Sequence, residues 1–304
     1  MKIELDRWKN TQNSASASSE ETEVLIISDG ARNSADRILP LIAERMNSQY
    51  ADQKRIVIAV AGGSGAGKSA ISSLLSHAMN DLGVFTVRLS GDNYPRRIPE
   101  QNDAERYRLY RVAGLQYLLS NGLYNSQVRS DLRVLQEAGS EFDPEQVKNY
   151  SWLQQYQMAG IEALKQYLGS DSEQDFNDIN RVIAAFKNGD HSVWCKKMGR
   201  VDIARWYDNV QFPDCAVMII DWTHALSTNL TGVDIQVLLA SSPAETQAIR
   251  VARGRDKFAD SPFVASVLKL EQKSINDRAD CNTMIFNRQG NLISLDQFQK
   301  DYSI

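Results

Sequence analysis

The residues with the clearest chemical meaning form a glycine-rich turn after an apolar run at positions 56–61. In order, the turn reads Gly62, Gly63, Ser64, Gly65, Ala66, Gly67, Lys68 and Ser69. Glycine N–H groups can surround a phosphate because no Cβ blocks close approach, and the amphipathic helix predicted to follow adds the positive end of its dipole. In a Walker A loop of this type, the lysine reaches the β- and γ-phosphates and the serine hydroxyl binds Mg²⁺. The turn therefore predicts a nucleoside triphosphate site, with Lys68 catalytic and Ser69 a metal ligand.

An acidic residue follows the next apolar run. Residues 84–89 predict a second buried strand, which ends at Ser-Gly-Asp92-Asn-Tyr94. In a doubly wound sheet, ligands bind outside the carboxyl ends of the strands, so we expect Asp92 to face the same crevice as Lys68. An alcohol is too weak an acid for a carboxylate to deprotonate it fully at neutral pH. Asp92 would therefore orient an acceptor hydroxyl and accept its proton late in the transfer. The alternative is an ordinary turn.

A second acidic residue closes a later apolar run. Residues 216–220 are continuously apolar and are followed by Asp221. This pattern predicts a buried parallel strand with a carboxylate at its end, where a Walker B residue would hold the metal. The alternative is an aspartate that opens a turn.

A basic helix face follows the strand predicted at 235–240. Pro243 is typical of the first turn of a helix. On that helix Arg250, Arg253 and Lys257 share one face. Two interpretations stay open: a lid whose catalytic arginines Arg250 and Arg253 close on the phosphates, or a solvated cationic face.

The elements that must position these residues predict an α/β protein of three parts. Residues 1–54 would be a polar leader with a packing helix capped by Asn33 or Ser34. Residues 55–94 and 173–304 would form the core. The segment 95–172 would be a helical insertion and substrate lobe, with helices predicted at 103–120, 126–138 and 149–168. A short run at 24–27 is either an added strand or an anchor, and 194–206 resembles a hairpin.

Several arginines in the insertion could bind an anionic substrate or could line a solvated helix face. They are Arg106, Arg108 and Arg111, with Arg96 and Arg97 closer to Asp92.

Composition narrows the class of protein. The chain has 304 residues and a net charge of −4, which argues against general nucleic-acid binding. No apolar run is long enough to span a bilayer, and the N-terminus lacks the apolar core of a signal peptide. Three widely spaced cysteines suit reduced thiols. These features predict a cytoplasmic protein with a small-molecule substrate and without nucleic-acid or membrane partners; a homodimer is left open.

The chain resembles the phosphoribulokinase/uridine kinase family of phosphate-loop (P-loop) kinases. The matching blocks are residues 62–69, the Asp-x-aromatic pattern of Asp92 and Tyr94, and the helix of Arg250 and Arg253. The resemblance implies ATP and Mg²⁺, phosphorylation of a small-molecule hydroxyl, and a three-layer P-loop kinase fold. That fold has a mostly parallel five-stranded sheet with helices on both faces and, here, a helical insertion after the second strand.

The same resemblance implies where the acceptor lies. The family carries a substrate hairpin like residues 194–206, which makes Asp202 and Arg205 candidate acceptor contacts, beside Asp92, Tyr94 and Arg97. Asp221 is followed by tryptophan, whereas the family usually has glycine there, so the acceptor need not be uridine or ribulose 5-phosphate.

Another class of function fits the same loop. A regulatory GTPase or metallochaperone-type NTPase would use hydrolysis as a switch, without a small-molecule acceptor. The guanine-reading Asn-Lys-x-Asp motif is absent from the sequence, which counts against it. An ATP-driven transporter or nucleic-acid motor is a third option.

Overall fold

A computed structural model describes residues 27–212, 214–253 and 261–302. Its strands, in chain order, are β1 (Ile56–Ala61), β2 (Thr86–Ser90), β3 (Ser192–Met198), β4 (Arg205–Gln211), β5 (Val217–Asp221), β6 (Ile235–Leu239), β7 (Met284–Phe286) and β8 (Leu292–Ile293). Its helices are α1 (Asp29–Gln49), α2 (Lys68–Asp81), α3 (Pro99–Ser120), α4 (Ser126–Glu137), α5 (Leu153–Tyr167), α6 (Phe176–Asn188), α7 (Pro243–Arg253), α8 (Pro262–Arg278) and α9 (Leu295–Asp301).

The central sheet has six strands in the order β2-β5-β1-β6-β7-β8. The first five are parallel, and β8 pairs antiparallel with β7 at the edge. The prediction of a mostly parallel sheet is confirmed, and the antiparallel edge strand adds one strand to the five expected. The predicted strand at 24–27 does not join this sheet at Ile27, and residues 24–26 lie outside the described part of the chain.

Two apolar clusters cover the two faces of the sheet and make three layers. Along β1, Val57 and Ala59 pack on the side of α6, whereas Ile56 and Ile58 pack on the side of α1 and α2. All six β1 residues are buried. A strand covered on both faces needs apolar residues at every position, which is why this stretch reads as a continuous apolar run.

Helix α1 begins earlier than the sequence suggests. Ser28, not Asn33 or Ser34, is its N-cap, and the Ser28 hydroxyl accepts a hydrogen bond from the Ala31 N–H at 3.2 Å. Ser34 is buried and donates to the Arg288 carbonyl. Several polar residues in this stretch can cap a helix, and the packing of Ile38 and Leu39 on the sheet selects the register.

The insertion contains α3, α4 and α5, as predicted, around an apolar cluster of its own. Tyr110, Leu132 and Leu153 belong to this cluster. Phe263 and Val267 of α8 complete it. The insertion therefore shares a helix with the remainder of the protein.

Strands β3 and β4 form the expected antiparallel hairpin, with Lys197 opposite Trp206. Asn93, in the turn after β2, accepts a hydrogen bond from the Met198 N–H at 3.0 Å, and Lys196 Nζ donates to the Pro95 carbonyl at 3.0 Å. The hairpin is thus held beside the Asp92 turn. Within the described ranges, no helix is both long and apolar enough to cross a membrane.

Candidate active site

The glycine-rich turn connects β1 to α2 with a backbone that suits glycine. Gly65 and Gly67 have φ of 82° and 91°, in the left-handed region that other residues rarely adopt. Lys68 opens α2 and folds over the loop, where Nζ donates to the carbonyls of Gly62 and Gly63 at 2.9 and 3.0 Å. In a phosphate-binding loop, the Lys68 ammonium would donate to phosphate oxygens instead of to these two carbonyls.

Ser69 and Asp221 meet at the carboxyl edge of the sheet. The Ser69 hydroxyl donates to Asp221 Oδ2 at 2.8 Å, and the carboxylate is only 2% exposed. The Arg88 guanidinium lies beside it, with Nε 3.4 Å from Asp221 Oδ1. Hydroxyl and carboxylate oxygens are donors that Mg²⁺ accepts. The two predicted metal ligands are therefore adjacent, and their chemistry fits the ion.

Asp92 lies in a short 3₁₀ turn, Gly91–Asn93, directly after β2. Its side chain is exposed. Ser90, the last residue of β2, is opposite Asp221 in the sheet, so the turn begins next to the Ser69–Asp221 pair. Trp222 packs against the Cα of Gly91, and any Cβ there would overlap the indole. Trp222 thus fixes the turn that carries Asp92.

Tyr94 is not an acceptor contact, which corrects the prediction. Its side chain is 0% exposed and belongs to the core cluster that contains Phe176 and Trp222. Burial raises the pKa of its hydroxyl well above the usual range. The 3₁₀ turn rotates this position away from the direction of Asp92, so the ring enters the core.

Helix α7 places Arg250 against the phosphate loop. The side chains of Arg250 and Thr246 cover Gly65, and Arg250 lines a small cavity with Gly63 and Ser64. This location agrees with the lid interpretation for Arg250. The side chain of Arg253 and all of Lys257 lie outside the described part of the chain.

The other predicted acceptor contacts lie around the Asp92 turn and the hairpin. Arg97 donates to the Tyr167 hydroxyl at 3.1 Å and is 3.9 Å from Glu105. Arg205 is paired with Asp202 at 2.8 Å and donates to Gln101 of α3 at 3.1 Å. These side chains border the same region but already have protein partners.

Sequence reasoning missed a buried polar cluster between α3 and the phosphate loop. Arg106 Nη2 is 2.7 Å from Glu173 and 3.0 Å from Glu271. Asn102 and the Gly169 N–H also donate to Glu173, and His224 Nε2 is 4.0 Å from it. The carboxylates lie far from Arg106 in the sequence, so helix periodicity gives no signal for this cluster.

Burial sets the charge states of these groups. It lowers the pKa of His224 to about 4, so the imidazole is neutral at pH 7. Burial raises the pKa of Glu271 although Arg106 opposes this effect. Burial also disfavours the charged form of Glu173, but the positive charge of Arg106 and the hydrogen bonds from the Gly169 N–H and Asn102 outweigh it and lower the pKa of that carboxyl.

Neither interpretation of the α3 arginines describes all of them. Arg106 and Arg111 pair with the buried carboxylates of Glu173 and Glu141. Arg108 is exposed and pairs with Glu105 of its own helix. Pairing with buried acids, rather than a substrate clamp or a bare solvated face, explains Arg106 and Arg111.

Comparisons with known proteins find a matching family model and a similar curated protein. Over residues 41–116 the chain matches the model of the family described as Zeta toxin. A bifunctional alpha-galactosidase/sucrose kinase from Mediterraneibacter gnavus is 32% identical over 240 residues, which cover 79% of this chain and 21% of that protein. The chain thus spans about a fifth of the length of this curated relative.

A solved structure shows the same fold. A proposed fructose transport system kinase from Silicibacter sp. TM1040 superimposes with a TM-score of 0.50 at 16% identity, over 84% of this chain and 98% of that chain. A D-glycerate 3-kinase from Cryptococcus neoformans has a TM-score of 0.47 at 12% identity, over 88% and 98%. The first of these likenesses confirms the predicted α/β fold, with a mostly parallel sheet between helices. The narrower assignment to the phosphoribulokinase/uridine kinase family stays a prediction.

Proposed function

We propose that this chain transfers the γ-phosphoryl group of ATP to a hydroxyl group of a small metabolite. The observation that carries the proposal is the junction of β2 and β5, where Ser90 lies opposite Asp221. That register brings the Ser69–Asp221 pair and the Asp92 turn to one edge of the sheet, beside Lys68. A phosphate donor and a hydroxyl acceptor would meet there.

The phosphate side needs neutralisation of charge that develops in the transition state. Residues 62–69 would bind the triphosphate through backbone N–H groups, and Lys68 would exchange its two loop carbonyls for phosphate oxygens. Arg250 lies against the loop and would add positive charge, with Arg253 proposed for the same role. Ser69 and Asp221 would hold Mg²⁺, which would withdraw negative charge from the phosphates.

On the acceptor side, Asp92 would act as the base. Its exposed carboxylate can accept a hydrogen bond from the acceptor hydroxyl, align it with the γ-phosphate and take its proton late in the transfer. General-base assistance of this kind contributes roughly 10²–10⁴-fold. Arg97, Asp202 and Arg205 are proposed to bind the remainder of the acceptor.

A neutral sugar is the acceptor class to test first. Arg97 and Arg205 already pair with Glu105 and Asp202, so less positive charge is available for a phosphate or carboxylate of the acceptor. Trp206 is 48% exposed on the hairpin, and an indole face can pack against the C–H groups of a sugar ring. The relative from Mediterraneibacter gnavus includes a sucrose kinase, which agrees with this choice.

A turnover assay tests the proposal. ATP and GTP consumption is measured with Mg²⁺, with and without a panel of sugars, sugar phosphates and nucleosides, and products are identified by mass spectrometry. We expect acceptor-dependent ADP formation and a product heavier by one phosphoryl group, both lost in Lys68→Ala. Nucleotide hydrolysis that ignores every acceptor but responds to a protein partner would instead support a regulatory NTPase.

A further inference from the structure

Arg106 holds two carboxylates of different elements together in a buried site. Its Nη2 lies 2.7 Å from Glu173 Oε1 and 3.0 Å from Glu271 Oε1, and its Nε donates to the same Glu173 oxygen at 3.0 Å. Glu173 precedes α6 and Glu271 belongs to α8, whereas Arg106 comes from α3 of the insertion. The insertion thus supplies the cation that joins these two acids.

Glu271 lies at the phosphate loop. It lines the small cavity that Gly63, Ser64 and Arg250 also line. The next residue, Gln272, is buried and its side-chain oxygen lies against Gly63. The positive charge of the Lys68 ammonium favours the ionised form of Glu271 and partly offsets the increase in its pKa that burial causes. A carboxylate therefore lies beside the loop that would receive the negatively charged triphosphate.

The charges around this carboxylate come from several elements. Arg106 and Lys68 are positive, Glu173 and Asp103 are negative, and burial keeps His224 neutral at pH 7. Without the guanidinium of Arg106, Glu173 and Glu271 would both lose an ion-pair partner, and the charge of Glu271 would remain beside the phosphate loop. In a poorly solvated site, such charges act strongly on a nearby anion.

We propose that Arg106 is a positioning residue for the nucleotide: it holds Glu271 against the phosphate loop and cancels the charge that would otherwise repel the triphosphate. This inference rests on the proposed nucleotide site but needs no acceptor. It gives the insertion a role on the phosphate side of the site, in addition to its proposed role around the acceptor.

Binding of the non-hydrolysable analogue AMP-PNP with Mg²⁺, measured by titration calorimetry, tests the proposal. In Arg106→Met we expect affinity to fall about tenfold or more, which corresponds to the interaction of one nearby charge. Arg106→Lys keeps the charge and should retain most of the affinity. Glu271→Gln removes the repelling charge, so the single variant should bind as tightly as the wild type or more tightly, and the double variant Arg106→Met/Glu271→Gln should recover affinity.

Arg108→Met is the matched control, because Arg108 lies on the same helix, pairs with a carboxylate and is exposed; its affinity should not change. Circular dichroism melting curves show which variants are folded at the temperature of the titration. Weaker binding in Glu271→Gln, or no recovery in a folded double variant, would overturn the electrostatic role of Arg106. Tight analogue binding without acceptor phosphorylation would count against the proposed kinase function and leave this inference intact.

Discussion

His224 makes a sharp prediction about the pH dependence of stability. Its side chain is 9% exposed and packs edge-on against Trp222, with 5.4 Å between the ring centroids. Its Nε2 lies 4.0 Å from Glu173 Oε2. Burial holds the imidazole neutral in the folded protein, whereas the same group in the unfolded chain takes up a proton under mildly acidic conditions. Replacing it by glutamine removes this proton uptake.

The magnitude follows from the two pKa values. Burial lowers the pKa of His224 from 6.5 to about 4. Each pKa unit corresponds to about 1.4 kcal/mol, so full protonation of the unfolded state costs about 3 kcal/mol of folding free energy. The stability that His224 contributes by remaining neutral in the folded protein is fully present above pH 6.5 and is lost as the pH falls toward about 4. The lowered pKa of Glu173 also makes the folded state less stable as the pH falls, but at lower pH. The raised pKa of Glu271 has the opposite effect on stability.

Urea unfolding of the wild type and His224→Gln, followed by circular dichroism at several pH values between 7.5 and 4.5, measures this effect. Subtracting the two profiles removes the shared contributions of Glu173 and Glu271. Between these pH values, the wild type should lose about 2.5 kcal/mol more than His224→Gln. His77→Gln, at a partly exposed histidine of α2, is the control substitution. Parallel profiles for wild type and His224→Gln would refute the reasoning.

Three further outcomes are expected at the sheet edge. Asp92→Asn should retain AMP-PNP affinity but lose roughly 10²–10⁴-fold in transfer rate; an unchanged rate would remove Asp92 from the mechanism. Gly91→Ala should lower the free energy of unfolding by about 1–3 kcal/mol, because its new Cβ would overlap Trp222, and urea titration would show an unaltered midpoint if this packing were unimportant. Ser69→Ala should raise the Mg²⁺ concentration needed for half-maximal turnover, since it removes a hydroxyl ligand next to Asp221; a magnesium titration identical to that of the wild type would exclude this role.

The parts of the site that were predictable are those encoded locally. Within eight adjacent residues, the Gly62–Ser69 turn contains both the glycines that its backbone conformation requires and the lysine and serine proposed to act on phosphate and metal. Asp221 directly ends an apolar run. Because ligands bind outside the carboxyl ends of parallel strands, these local signals also predict that Lys68, Asp92 and Asp221 lie at one edge of the sheet.

The parts that were not predictable depend on contacts distant in sequence or on a local rotation of the chain. Tyr94 shares a motif with Asp92, yet a 3₁₀ turn separates the directions of the two side chains. Arg106 meets Glu173 and Glu271 only because α3 lies beside the segment that precedes α6 and beside α8. Helical spacing tells which arginines share a face but not which acid lies opposite.

The apolar cluster of the insertion has a consequence for any attempt to excise or transplant that lobe. Phe263 and Val267 of α8 are 2% and 5% exposed because α3 and α5 cover them. Removal of residues 95–172 would leave these side chains in water on the helix that also carries Gln272 to the phosphate loop. A transferable unit must therefore include α8, although it lies some ninety residues further along the chain than the end of the lobe.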